Sequence, residues 1–325
     1  MALLNPPDIL PEAMRFLVRA LVALPKAEAE REELLSLVAP RGLTEAMDLV
    51  VTGAADPSDA DPDDLRAGGS IIAGASLDAL RMLGMVEQSG NRIQLASAEA
   101  ERWKNPAAVT PRSMFQVLVD RLVQMIDSDA SSGVGDFVQA LVLLHVAEEP
   151  LRPFDRFESS ATSRAGRSFA IRQEQVLGSD RKGWPIPNRE QWLSFRRWAS
   201  YLGLARAVGS SGLIPDASEA LAYRLPALAP GDYDVRDFAA RCASAVPFLN
   251  GGDLQFGLDS QHEGDHAILS GGLTVSLLQL EAHGFLTLER RSDAGGRTLR
   301  LQPDGSADRV VTTVVWEKTR IRGDL

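Results

Sequence analysis

Three stretches of the chain share one hydrophobic pattern: apolar residues at helical spacing, a glycine, then a short run in which apolar and polar residues alternate. The first is SLDALRMLGMVEQSGNRIQLA, with Gly84 as the stop and Ser89-Gly90-Asn91 as the turn. The second is EQWLSFRRWASYLGLARAVGSSGLIP, with Gly203 as the stop and Gly209 to Gly212 as the turn. The third, from Leu273 onward, includes EAHGFLTLERRSDAGGRTLRL, with Gly284 as the stop. Each glycine suits the left-handed position just beyond a helix end. The period then changes to that of a strand. An apolar pair follows each stop: Met85-Val86, Leu204-Ala205 and Phe285-Leu286. In the third copy the pattern predicts a two-stranded hairpin. Leu286 and Leu288 share one face of its first strand, and Leu299 and Leu301 share one face of the return strand.

Helical material precedes each copy. Pro11 to Leu24 places Met14, Leu17, Val18 and Leu21 on one stripe, and a second helix is expected around Arg31 to Val38. Thr110-Pro111 reads as an N-cap with proline at the first helical position. That helix runs through Phe115, Leu118, Leu122 and Met125, and Phe137 to Val146 supplies another. Val235 to Ala245 is the candidate for the third copy. The irregular spacing of the stops argues against a solenoid. The fold expected is mainly α with small β-hairpins (α+β), as tandem winged-helix-like domains. Their bounds are 1–105 with an acidic loop insertion, 106–228 with an Arg-rich loop, and 229–325.

Composition narrows the function. The 325 residues carry a net charge of −10, which opposes indiscriminate nucleic-acid binding. Cys242 is the single cysteine, so neither an intramolecular disulfide nor a multi-cysteine zinc site is expected, and a reducing compartment is. The longest apolar stretch, Phe137 to Ala147, is far below the roughly 20 residues a bilayer requires. MALLNPPDIL has no signal-peptide pattern. A cytoplasmic protein is expected.

Charge is unevenly distributed. Gly42 to Leu65 holds Glu45, Asp48, Asp56, Asp59, Asp61, Asp63 and Asp64 without a lysine or arginine, and reads as a solvated, flexible loop. Pro150 to Asn188, rich in Ser, Gly and Arg, reads as a segment that is mobile or orders on a partner. From Arg152 to Arg206, eleven basic residues face five acidic ones, with aromatic residues interleaved. Phosphates need positive charge, and unpaired bases stack on aromatic rings. The candidate nucleic-acid contacts there are Arg164, Arg167, Arg181, Lys182, Arg189, Arg196 and Arg197, although Trp192, Phe195 and Trp198 fit a core stripe better. The third hairpin adds Arg290, Arg291, Arg297 and Arg300 as a backbone clamp. The helix before it, Ser270 to His283, has no Lys or Arg, so base reading there would fall to Thr274, Ser276 or Gln279.

Catalytic patterns are sparse. His262-Glu263-Gly264-Asp265-His266 is a literal HExxH, but Gly264 weakens the helix that a zinc site needs, so it reads as a solvated acidic loop. His283 reads as a helix-end cap and His145 as a satisfied core or edge residue. GGSIIAG, Gly68 to Gly74, lacks the lysine of a phosphate loop. Cys242 has no nearby histidine to activate it. No enzyme, cofactor or metal is expected.

The opening MALLNPPDILPEAMRFLVRAL, with Asn5-Pro6-Pro7, Leu10-Pro11 and an amphipathic helix, resembles the N-terminus of the DpdG proteins. Those are encoded in bacterial gene clusters that insert 7-deazaguanine derivatives into DNA and restrict unmodified DNA. The resemblance implies a part in DNA-modification-linked phage defence, inside a multi-protein assembly. The expectation is a non-enzymatic DNA-binding or scaffold subunit with protein partners and no membrane contact, with a homo-oligomer left open. The alternatives are a stand-alone dimeric transcriptional regulator and a protein–protein adaptor.

Overall fold

The structure, a computed structural model, describes residues 3–4, 8–39, 68–127, 134–157, 167–209, 212–225, 228–249, 268–291 and 295–317. It is mixed α+β, just over half helical, with small and mostly antiparallel sheets. Two compact units divide it, Met1–Val134 and Gly135–Leu325.

In the first unit, α1 (Pro11–Ala23) starts with proline at its first turn and buries Met14, Leu17, Val18 and Leu21, the stripe its sequence predicts. Strand β1 (Glu28–Glu30) and helix α2 (Arg31–Val38) follow. Then come α3 (Gly68–Met82), β2 (Val86–Ser89) and β3 (Arg92–Leu95). Helix α1 packs on both α2 and α3. The sheet order is β1-β3-β2, so the last strand lies in the middle. After α4 (Ser97–Arg102), α5 (Pro111–Asp127) packs on α1. Thr110 caps α5, its Oγ1 accepting from the Ser113 amide at 3.0 Å while the Ser113 hydroxyl accepts from the Thr110 amide at 3.0 Å. Glu99, 3% exposed, ties α4 to α5 through Arg121, whose Nη2 and Nε lie 2.5 and 3.1 Å from one carboxylate oxygen.

The second unit repeats that order twice. Helix α6 (Gly135–His145), β4 (Phe154–Arg156), the short β5 (Arg167–Ser168), α7 (Phe169–Leu177), α8 (Arg189–Tyr201), β6 (Arg206–Val208) and β7 (Gly212–Ile214) come first. Their sheet is ordered β5-β4-β7-β6. Next are α9 (Ser218–Arg224), β8 (Gly231–Asp234), α10 (Val235–Ala245), α11 (Gly271–Ala282), β9 (Leu286–Glu289), the hairpin β10 (Arg297–Leu299) and β11 (Arg309–Val311), and β12 (Thr313–Trp316). The sheet order is β8-β12-β9. Helix–strand–helix–helix–strand–strand, with the last strand inside the sheet, thus occurs three times among the described residues, with β5 added in the second copy and the β10–β11 hairpin inserted in the third.

Two expectations are corrected. The return strand at Arg297–Leu299 does not pair with β9. It pairs with β11, and β12 lies against β9, with Leu288 opposite Val314. Leu299 is buried, so it satisfies the alternation without revealing its partner. The stretch Pro150 to Asn188, expected as a loop, carries β4, β5, α7 and a turn of 3-10 helix at Arg181–Gly183. Its Phe154, Phe157, Phe169 and Trp184 are buried, and Ser168 caps α7 by accepting from the Ile171 amide.

All three stop glycines are left-handed, with φ of +67° at Gly84, +58° at Gly203 and +73° at Gly284. The amide after each donates five residues back: Met85 to Leu80, Leu204 to Ala199 and Phe285 to Leu280, each at 2.9 Å. That bond is the long closure of a Schellman helix end. One local device therefore sets the exit of each third helix.

Candidate nucleic-acid interface

Helix α8 is the best-formed basic surface. Asn188 caps it, accepting from the Gln191 amide at 2.9 Å. Trp192, Phe195, Trp198 and Ala199 face the core. Phe169 stacks on Trp192 and Phe195 at ring-centroid distances of 5.0 and 5.6 Å, and Phe137 meets Phe195 edge-on at 5.7 Å. This anchoring leaves Arg189, Leu193 and Arg197 exposed at i, i+4 and i+8, with Arg196 and Ser200 half-buried beside them and Glu190 exposed on the flank. Burial lowers the Arg196 guanidinium below its ordinary pKa, and that of Arg167 likewise. Both remain charged at neutral pH.

The remaining sequence candidates divide sharply. Lys182 is exposed in the Arg181–Gly183 turn. Arg167 is structural: Nη1 donates to the Glu149 carbonyl at 2.9 Å, and the guanidinium lies 4.5 Å from the centre of the Phe154 ring. Arg290 is exposed. Arg291 is paired with Asp232 at 2.7 Å and Glu289 at 2.8 Å, and Arg300 with Asp308 at 3.0 Å. Arg297 is half-buried. Arg164, the Gly42 to Leu65 segment, the Asn5-Pro6-Pro7 turn and the HExxH histidines lie outside the described residues.

The aromatic rings interleaved with this charge are core, not stacking platforms. Phe154, Phe157, Phe169, Trp184, Trp192, Phe195 and Trp198 are all buried. The site is therefore suited to phosphates and groove edges rather than to splayed bases.

Helix α11 holds the equivalent place in the third repeat and has no comparable face. Residues Gly272 to Leu277 are buried on every side, against α6 and α9. Thr274 and Ser276 are fully buried, and Ser276 Oγ accepts from the Ala217 amide at 2.8 Å. Gln279 Oε1 accepts from Arg206 Nη2 at 2.9 Å, and the same nitrogen lies 2.6 Å from buried Asp216. None of the three expected base readers is available. A Cβ on Gly272 would collide with Nδ1 at the edge of the His145 ring, so close approach to α6 requires glycine there. His145 Nε2 donates to the Leu204 carbonyl at 2.8 Å, and burial pulls its pKa down to about 4. It is a neutral core histidine.

Sequence reasoning missed Leu193, although its spacing from Arg189 and Arg197 was a signal. It also missed Arg309. That side chain pairs with Glu281 and donates to the Leu288 carbonyl at 2.6 Å, while Glu281 accepts from the Leu288 amide at 2.8 Å. Nothing in the spacing brings these residues together. Cys242 is fully buried and burial raises its thiol pKa. Among the described residues no helix is long and apolar enough to cross a membrane.

A family model described as DpdG-like matches residues 1–294. No curated protein and no solved structure matches the chain.

Proposed function

The chain belongs to the DpdG-like family, and from that premise we propose that it is a non-enzymatic DNA-binding or scaffold component of a bacterial DNA-modification and restriction system. Family membership fits a component of such a system. The three helix–strand–helix–helix–strand–strand repeats are read as winged helices, with α8 as the helix that meets DNA. The observation that carries this reading is the exposed Arg189/Arg197 stripe on a helix whose opposite face is locked by stacked aromatic rings. Lys182 and Arg290 add charge to the same unit. Contacts of this kind position a duplex through its phosphates.

The third repeat supports a different use. Its third helix is covered and Arg291, Arg300 and Arg309 are ion-paired, which favours contact with protein subunits for that repeat.

Fluorescence anisotropy of labelled duplexes of two unrelated sequences, from low to physiological salt, tests the reading. Both should bind, with affinity falling steeply as salt rises. The Arg189→Ala/Arg197→Ala variant should bind more weakly and flatten the log–log salt slope by about two, close to one per lost phosphate contact. Absence of binding at low salt would leave the protein-adaptor reading in its place, and an unchanged slope in the variant would remove the DNA contact from the Arg189/Arg197 face of α8.

A further inference from the structure

Leu193 is 43% exposed, and it occupies the centre of the most basic helix face in the second unit. Its two neighbours along that face are Arg189 and Arg197, one turn before and one turn after. Asn188 and the buried rings of Trp192, Phe195 and Trp198 hold the helix so that this stripe faces outward. The stripe spans eight residue steps along the helix axis, about 12 Å at 1.5 Å per step. The B-form major groove, roughly 12 Å wide, admits an α-helix of about 10–12 Å diameter lying along it, with such a stripe facing the floor. Charge complementarity therefore selects the occupant of this face: duplex DNA, with the two guanidinium groups on phosphates or groove edges. Once α8 is so placed, its outward apolar side chain lies at the depth of the base edges.

The major groove presents one common apolar group, the C5 methyl of thymine. A guanidinium or amide at this position would seek a hydrogen bond; a leucine loses its hydration only against a methyl group. We propose that Leu193 is a specificity-determining residue that reads thymine methyls in the major groove. This rests on the reading of α8 as the DNA-contacting helix. Glu190, on the flank of the stripe, disfavours phosphate on its own side and so biases which edge of the helix turns toward the backbone.

The experiment compares the full-length protein on two duplexes of identical sequence, one containing thymine and one with every thymine replaced by deoxyuracil. The two ligands differ only in the C5 methyls, so charge, hydrogen-bonding pattern and counterion release are preserved. The wild-type chain should bind the thymine duplex about fourfold more tightly for each methyl covered, the worth of one buried methyl-sized group. Leu193→Ala should bind both duplexes equally while keeping the wild-type salt slope, and Leu193→Met should retain part of the preference. Circular dichroism of each variant should match wild type, because the side chain leaves the core. Equal affinity of the wild-type protein for the two duplexes would overturn the assignment of Leu193 while leaving DNA binding intact. Failure to bind either duplex at low salt would overturn the α8 reading and this assignment with it.

Discussion

At the scale of single residues, burial and partners sort charged groups that look alike in sequence. Arg167, Arg206, Arg291 and Arg300 each hold a protein acceptor named above, and Arg189 and Arg197 lie exposed on the outer face of α8. His145 makes the same point for titration. Its folded pKa, about 4, lies below the ordinary 6.5, so the unfolded chain binds the extra proton and acid favours unfolding. The contribution of neutral His145 is complete above pH 6.5, declines as pH falls toward 4, and is flat below that. Its full size is about 3 kcal/mol, from 1.36 kcal/mol per pKa unit. Urea midpoints should therefore drop across this window. NMR titration should find the His145 ring still neutral at pH 5 in the folded protein; a ring titrating near 6.5 would contradict its full burial, the cause of the lowered pKa.

At the scale of elements, the helix exits were the most legible part of the sequence. A glycine between a helical and an alternating pattern marks a left-handed residue wherever it occurs, and Gly84, Gly203 and Gly284 all conform. Strand partners were not legible. The alternation of Leu286 and Leu288 says which face is buried, but not that Trp316 and Val314 arrive from far along the chain to pair with them. Helix α7 was hidden by its polar run Arg172 to Gln175, which masks the apolar signal of Phe169 and Ala170. The glycine exits also differ in cost of substitution. At Gly84 an added Cβ meets only the Arg121 guanidinium at 4.0 Å, so Gly84→Ala should lose roughly 1–2 kcal/mol from the left-handed backbone alone. At Gly203 the same atom would lie 2.7 Å from Glu219 Cβ. Gly203→Ala should thus be the more destabilising of the two in denaturant unfolding, and equal losses would refute the packing argument.

At the scale of the molecule, the three repeats were visible in the sequence, but the fusion of the second and third was not. That fusion rests on Gly272 against His145, Ser276 on Ala217, and Gln279 with Asp216 on Arg206, contacts with no local signature. It also explains why only one of the two third helices in this unit keeps an outward face: α11 spends its surface on holding the repeats together. The candidate site was half legible for the same reason, since local charge counts do not know which arginines the fold has already used. Because Gly135–Leu325 forms a compact unit containing α8, residues 135–325 made alone should bind duplex with the salt slope of the whole chain. A markedly lower slope in that fragment would move part of the phosphate contact to Met1–Val134.

The clasp of Glu281 and Arg309 over Leu288 has a consequence for crowding. Strand β9 is the margin of its sheet, and a bare margin is a template on which an identical chain can add a strand. Here the carboxylate holds the Leu288 amide and the guanidinium holds its carbonyl, so a neighbouring backbone finds neither donor nor acceptor at that residue. Copies of the chain at high local concentration would press these margins together without zipping them into a continuous sheet at that residue.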